Sequence, residues 1–126
     1  MRPRPLSPHL QVYRWQITMV LSILHRLTGA FLALGMAGMS FWLLALAQGE
    51  ATHHQWFGWL HSLPGRFVLW LFVLALVYHL CNGLRHLYWD LGRGLSNEGV
   101  TRSGRLVVAC TLVLTGLLWW LAGGGS

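Results

Sequence analysis

Charge is what this sequence most conspicuously lacks. Of its 126 residues nine are basic and three acidic, 10% of the chain, where a soluble domain carries about 25%. Lysine is missing altogether, so every basic residue is an arginine. Cysteine is limited to Cys81 and Cys110, too few for a disulfide-stapled secreted scaffold or an iron–sulfur cluster. Three of the four prolines crowd into Arg2–Pro8, where they discourage a helix. What is abundant is apolar: 55% of residues are hydrophobic, eight are tryptophan, and the mean hydropathy is +0.51. There is too little polar surface to cover a water-soluble globule, and too much apolar surface for a disordered chain.

The net charge of +6 invites a nucleic-acid reading. In a membrane protein, however, loop arginines set orientation and meet lipid phosphate, so no nucleic-acid partner is expected. Three stretches carry no charge: Leu27–Ala47, Phe67–Leu84 and Leu106–Ala122. Each falls within the roughly 17–25 residues that a helix needs to cross the hydrocarbon layer, and lipid leaves the backbone no alternative to helix. Ala45-Leu46-Ala47 mimics a signal-peptidase site, but the run before it is too long and begins too late. The expectation is an all-α membrane protein of three transmembrane helices. Its single membrane-anchor domain covers 1–126, with spans at about 22–47, 65–88 and 105–123 once flanking residues snorkel.

Arginine placement gives the direction. Arg2, Arg4, Arg14 and Arg26 precede the first span, and Arg85, Arg93, Arg102 and Arg105 follow the second; only Arg66 marks the other side. The positive-inside rule puts the N-terminus in the cytoplasm and the C-terminus outside. Asp90–Gly104, with four glycines, reads as a cytoplasmic loop. Gln48–Pro64 reads as the outer connection.

The second span carries His79, Asn82, Gly83, Arg85, His86 and Asp90. At 100° per residue, His79, Gly83, His86 and Asp90 form one polar stripe descending towards the cytoplasm. Such a stripe faces protein or cofactor, because polar groups facing lipid are expensive. His79 then has two readings: a helix-to-helix hydrogen bond, or a haem ligand, with Gly83 removing a side chain where a flat macrocycle would lie. His86, a turn further, suits a propionate. Zinc is disfavoured by the ligand spacing. His79 and His86 point the same way about 10 Å apart, so they cannot clamp one iron. His25, at the cytoplasmic start of the first span, is expected to be too shallow to reach it. A second histidine ligand would come from another chain.

Ser22, His25, Arg26 and Gly29 share one face of the first helix. One reading is a helix entry whose arginine snorkels to headgroups. The other is a pocket for a neutral, lipid-soluble redox molecule, where a hydroxyl donates to a carbonyl oxygen and a guanidinium stabilises charge developing on it.

Taken together, four motifs in order resemble the cytochrome b subunit of succinate dehydrogenase: Arg4-Pro5-Leu6-Ser7-Pro8-His9-Leu10, Tyr13-Arg14, Ser22-Ile23-Leu24-His25-Arg26-Leu27-Thr28-Gly29, and His79-x-x-x-Gly83-x-Arg85-His86-Leu87-x-x-Asp90. The resemblance spans essentially the whole chain. It implies an anchor in a hetero-oligomeric helix bundle of a bacterial inner membrane. The partners would be a flavoprotein, an iron–sulfur subunit and a second membrane-anchor subunit. By the same resemblance, His79 is an axial ligand of haem b shared with the second anchor, and His25, Arg26, Gly83 and His86 lie near the haem. Ser22, Ile23 and Arg26 line the site of the substrate ubiquinone, Arg4–His9 docks near the iron–sulfur subunit, and His86 or Asp90 relays protons. The chain itself carries no dehydrogenase chemistry, having no nucleotide fingerprint. An anchor of a quinol:fumarate reductase and a cofactor-free structural anchor are the alternatives. Cys81 and Cys110 read as packed thiols. Ala33, Ala37 and Ser40 read as a small-residue packing face.

Overall fold

A computed structural model describes residues 16–124 together with Pro3. The Arg4–His9 segment, Tyr13, Arg14 and Trp15 lie outside the described residues, as do the expectations placed on them. Helix α1 runs Ile17–Gln48 and ends at Gly49, whose φ of 119° only glycine adopts easily. A short helix α2, Glu50–Phe57, and a 3-10 turn, Gly58–His61, fill the outer connection. Helix α3 runs Leu63–Asp90; Ser62 caps it, its hydroxyl accepting from the Gly65 amide at 3.3 Å, and Pro64 occupies the first turn, where no amide proton is needed. Helix α4 runs Asn97–Leu121.

All three long helices are long and apolar enough to cross a membrane. With 32, 28 and 25 residues at 1.5 Å each, they exceed the ~30 Å hydrocarbon layer and carry their ends into the headgroup region. The chain is an all-α, multi-pass membrane protein.

Two boundaries differ from the sequence reading. The expected loop Asp90–Gly104 contracts to residues 91–96, because Ser96 caps α4, accepting from the Gly99 amide at 3.1 Å, and Glu98 sits in the positive first turn. Two of the glycines that suggested a loop lie inside the helix. A methyl on Gly104 would stand 3.1 Å from Leu21 and 3.5 Å from an Arg85 nitrogen, so this glycine permits a close crossing. Helix α1 likewise begins five residues before Ser22, at Ile17.

The buried core is small: Leu21, Tyr78 and Val107 from the three helices, with Ile17 and Cys81 packed against them. Tyr78 donates its hydroxyl to the Leu21 carbonyl at 2.6 Å, tying α3 to α1. Further out, Gly35 of α1 lies against Phe72 of α3, close enough that a methyl would overlap the ring. Ala33, Ala37 and Ser40 are exposed. Large apolar side chains cover the remaining surface, among them Leu34, Phe41, Phe67, Leu84 and Val113. That surface suits lipid or neighbouring helices and not water.

Candidate functional site

The polar stripe of α3 faces α1. The rings of His25 and His79 stack with centroids 4.0 Å apart and planes 3° from parallel. His86 also approaches His25, with ring centroids 5.1 Å apart and planes tilted by 47°. Three histidines from two helices therefore form one cluster, His25 in the middle. His25, expected to stand shallower than His79, instead lies beside it. His25 was expected at the start of the first span, but eight residues of α1, about 12 Å of helix, precede it.

Small residues make the approach possible. A methyl on Gly29 would stand 3.1 Å from His79 Cε1, tighter than ordinary contact, whereas one on Gly83 would meet His25 Cε1 at 3.9 Å. The tighter approach is thus at Gly29, while a methyl on Gly83 would make ordinary van der Waals contact with His25. Thr28 completes the contact: its Oγ1 lies 3.1 Å from His79 Nδ1. The buried Nδ1 of His25 has no hydrogen-bond partner among the described residues.

Below the cluster, His86 packs edge-on against Trp89 at 5.2 Å. Asp90 is exposed at the end of α3. Ser22 is half-buried, and Ile23 and Arg26 are exposed. An apolar hollow of about 260 Å³ is lined by Leu21, Leu24, Tyr78 and Thr111 among others, not by Ser22 or Arg26.

Arg85 has a role that composition concealed. Counted among the loop arginines, it is in fact 5% exposed. Its Nε donates to Ser103 Oγ at 3.0 Å, one terminal nitrogen to the Val100 carbonyl at 3.0 Å, and the other to Asn82 Oδ1 at 3.3 Å. The guanidinium also lies 4.1 Å from the centre of the Trp89 ring. It clasps the start of α4 to α3. Cys81 and Cys110 are free thiols, half-buried.

The chain matches the succinate dehydrogenase/fumarate reductase transmembrane subunit family over residues 1–118. It belongs to that family. Relatives include the succinate dehydrogenase cytochrome b556 subunit of Rickettsia felis, 41% identical over 116 residues that make up 92% of this chain and 90% of the relative. The corresponding subunit of Paracoccus denitrificans is 36% identical over 118 residues, 88% and 85% of the two chains. The mitochondrial cytochrome b560 subunit of Sus scrofa is 39% identical over 112 residues, 87% of this chain and 66% of that one. The resemblance carried by the four motifs agrees with these matches.

In this family member the histidine cluster fits a haem. The donors are imidazoles, which suit iron. One of them, His25, has a buried nitrogen still lacking a partner, and Gly83 leaves the flank of the cluster without a side chain. Among the described residues no group of three or more His, Cys, Asp or Glu is arranged to hold a metal ion.

Proposed function

We propose that this chain is the haem b- and quinone-binding membrane anchor of a succinate:quinone oxidoreductase, set in a bacterial inner membrane with its N-terminus cytoplasmic and its C-terminus periplasmic. The observation that carries the reading is the cluster of His25, His79 and His86, a turn or less from Ser22 and Arg26 on α1. The cytochrome names of the relatives support it. Haem b, when bound, supplies a one-electron store close to the quinone. His79 and a histidine of the second anchor subunit would hold its iron, and His25, Arg26 and His86 would meet the propionates. The other partners are a flavoprotein and an iron–sulfur subunit, which deliver the electrons of succinate.

Reduction of ubiquinone takes two electrons and two protons. Electrons arriving on the ring place negative charge on its carbonyl oxygens. Ser22 donates a hydrogen bond to one of them, and the Arg26 guanidinium beside it stabilises the charge as it develops. Ile23 supplies an apolar wall. Because Arg26 and Ile23 are exposed in this chain, the pocket is closed by neighbouring subunits. His86 and Asp90 hold protons on the cytoplasmic side and pass them inwards.

Quinone reduction and succinate oxidation separate this reading from a purely structural anchor. Losing a hydrogen bond to a charged group costs about 1.5–3 kcal/mol, roughly ten- to a hundredfold in rate. On membranes with equal assembled complex, Ser22→Ala and Arg26→Leu should depress succinate-driven quinone reduction by that factor. Oxidation of succinate by an artificial acceptor should be unchanged. Arg26→Lys should restore the activity only partly, since a point charge lacks the planar fork. Unaffected quinone reduction in both variants would overturn the assignment.

A further inference from the structure

Thr28 has one hydroxyl proton and three neighbours within hydrogen-bond distance. Its Oγ1 is 2.8 Å from the Leu24 carbonyl, 3.0 Å from the His25 carbonyl and 3.1 Å from His79 Nδ1. Both carbonyls can only accept. If the proton pointed at His79, the hydroxyl oxygen would face two carbonyl oxygens with nothing between them. All three contacts are satisfied together only when Thr28 donates into its own helix and His79 Nδ1 donates to Thr28 Oγ1. The single ring proton of neutral His79 is then on Nδ1, and Nε2 keeps its lone pair. Gly29 protects the arrangement, since a methyl there would stand 3.1 Å from His79 Cε1 and push the ring off the hydroxyl.

We infer that Thr28 is a positioning residue, which fixes His79 in the tautomer with Nε2 free for iron and, through that hydrogen bond, sets the reduction potential of the haem. The inference rests on the reading of His79 as an axial ligand. An imidazole whose second nitrogen donates a hydrogen bond is the stronger base at the first. A more basic ligand favours ferric over ferrous iron, so the Thr28 bond lowers the potential and its loss raises it. The hydroxyl is well placed to do this because its own proton is already committed to backbone carbonyls.

The test uses the whole complex, purified with the native chain, Thr28→Val, Thr28→Ala, Thr28→Ser or His79→Ala, and compared at equal assembly. The readouts are the reduced-minus-oxidised visible spectrum, the haem midpoint potential and the ferric electron-spin resonance. Valine keeps the shape of threonine without its oxygen; serine keeps the oxygen without the methyl. Thr28→Ser should match the native potential. Thr28→Val should retain a low-spin spectrum but shift the ferric-to-ferrous binding ratio about tenfold, ~59 mV upwards for a one-electron couple, with altered resonance positions. Thr28→Ala should shift the same way and serves if the valine variant does not assemble. A native potential in either variant, while His79→Ala has lost the spectrum, overturns the role of Thr28 and leaves the ligand in place. Failure of both to assemble beside a normal serine variant also overturns it, because the hydroxyl would then serve packing. An intact spectrum in His79→Ala overturns the ligand reading on which the inference stands.

Discussion

Replacing Arg85 by methionine removes three donors at once while keeping an unbranched stem of similar course. The acceptors fare differently. Ser103 Oγ and the Val100 carbonyl retain each other, at 3.1 Å. Asn82 does not: it is fully buried at 0% exposure, its Nδ2 already lacks a partner, and Arg85 is what its Oδ1 accepts from. The variant therefore buries an amide unsatisfied at both ends. An orphaned buried acceptor costs about 1–3 kcal/mol, and each charge-assisted bond contributes about 1.5–3 kcal/mol. Relief from burying a cation offsets part of this, and the sum for Arg85→Met is about 2–4 kcal/mol. Asn82→Ala gives the diagnostic. In the native background it forfeits one long hydrogen bond and leaves a small cavity, costing about 1–2 kcal/mol. In the Arg85→Met background it removes the orphan and should return about 1–3 kcal/mol. The sign reverses between backgrounds, a coupling well above the ~0.5 kcal/mol scatter of independent sites. Thermal or detergent-induced unfolding of the purified complex, followed by tryptophan fluorescence, reads the cycle. Equal costs for Asn82→Ala in the two backgrounds would refute the clasp, as would a neutral Arg85→Met.

Two further outcomes test the helix contacts. Tyr78→Phe deletes the 2.6 Å bond to the Leu21 carbonyl without changing shape, and should lower stability by about 0.5–1.5 kcal/mol in the same unfolding assay; no loss would mean that the hydroxyl does not tie α3 to α1. Gly35→Ala should cost about 1–3 kcal/mol, because its methyl overlaps the Phe72 ring. Phe72→Leu should recover much of that cost in the double variant, and strict additivity would argue against the contact.

Much of the site was legible because its residues recur at helical spacing. Periodicity along α3 put His79, Gly83 and His86 on one face, and the structure turns that face to His25. Periodicity says nothing about how far one helix is shifted along another, and the structure brings His25 level with His79 where a shallower position was expected. Thr28 stood inside a motif already singled out, yet its role needed the distance to His79, fifty-one positions away. Arg85 was singled out at the end of the second span but counted with the loop arginines for orientation, and burial leaves no mark in composition. The glycines of Asp90–Gly104 misled for a related reason. Gly104 serves a crossing between helices, not a turn, and the sequence gives the two uses the same letter.

Length, apolar runs and the scarcity of charge were enough by themselves to require three membrane-crossing helices, because a bilayer of fixed thickness admits few other answers. The arginine distribution likewise proposes a direction without any coordinates. Azimuth around each helix follows from the 3.6-residue turn, so the candidate side chains could be named and grouped in advance. Their depth relative to one another, the stacking of His25 on His79, the proton arrangement at Thr28 and the burial of Arg85 were decided by packing alone. Each depends on the offset between two helices, and that offset is set by where glycines allow close approach and where buried polar groups find partners far away in the chain.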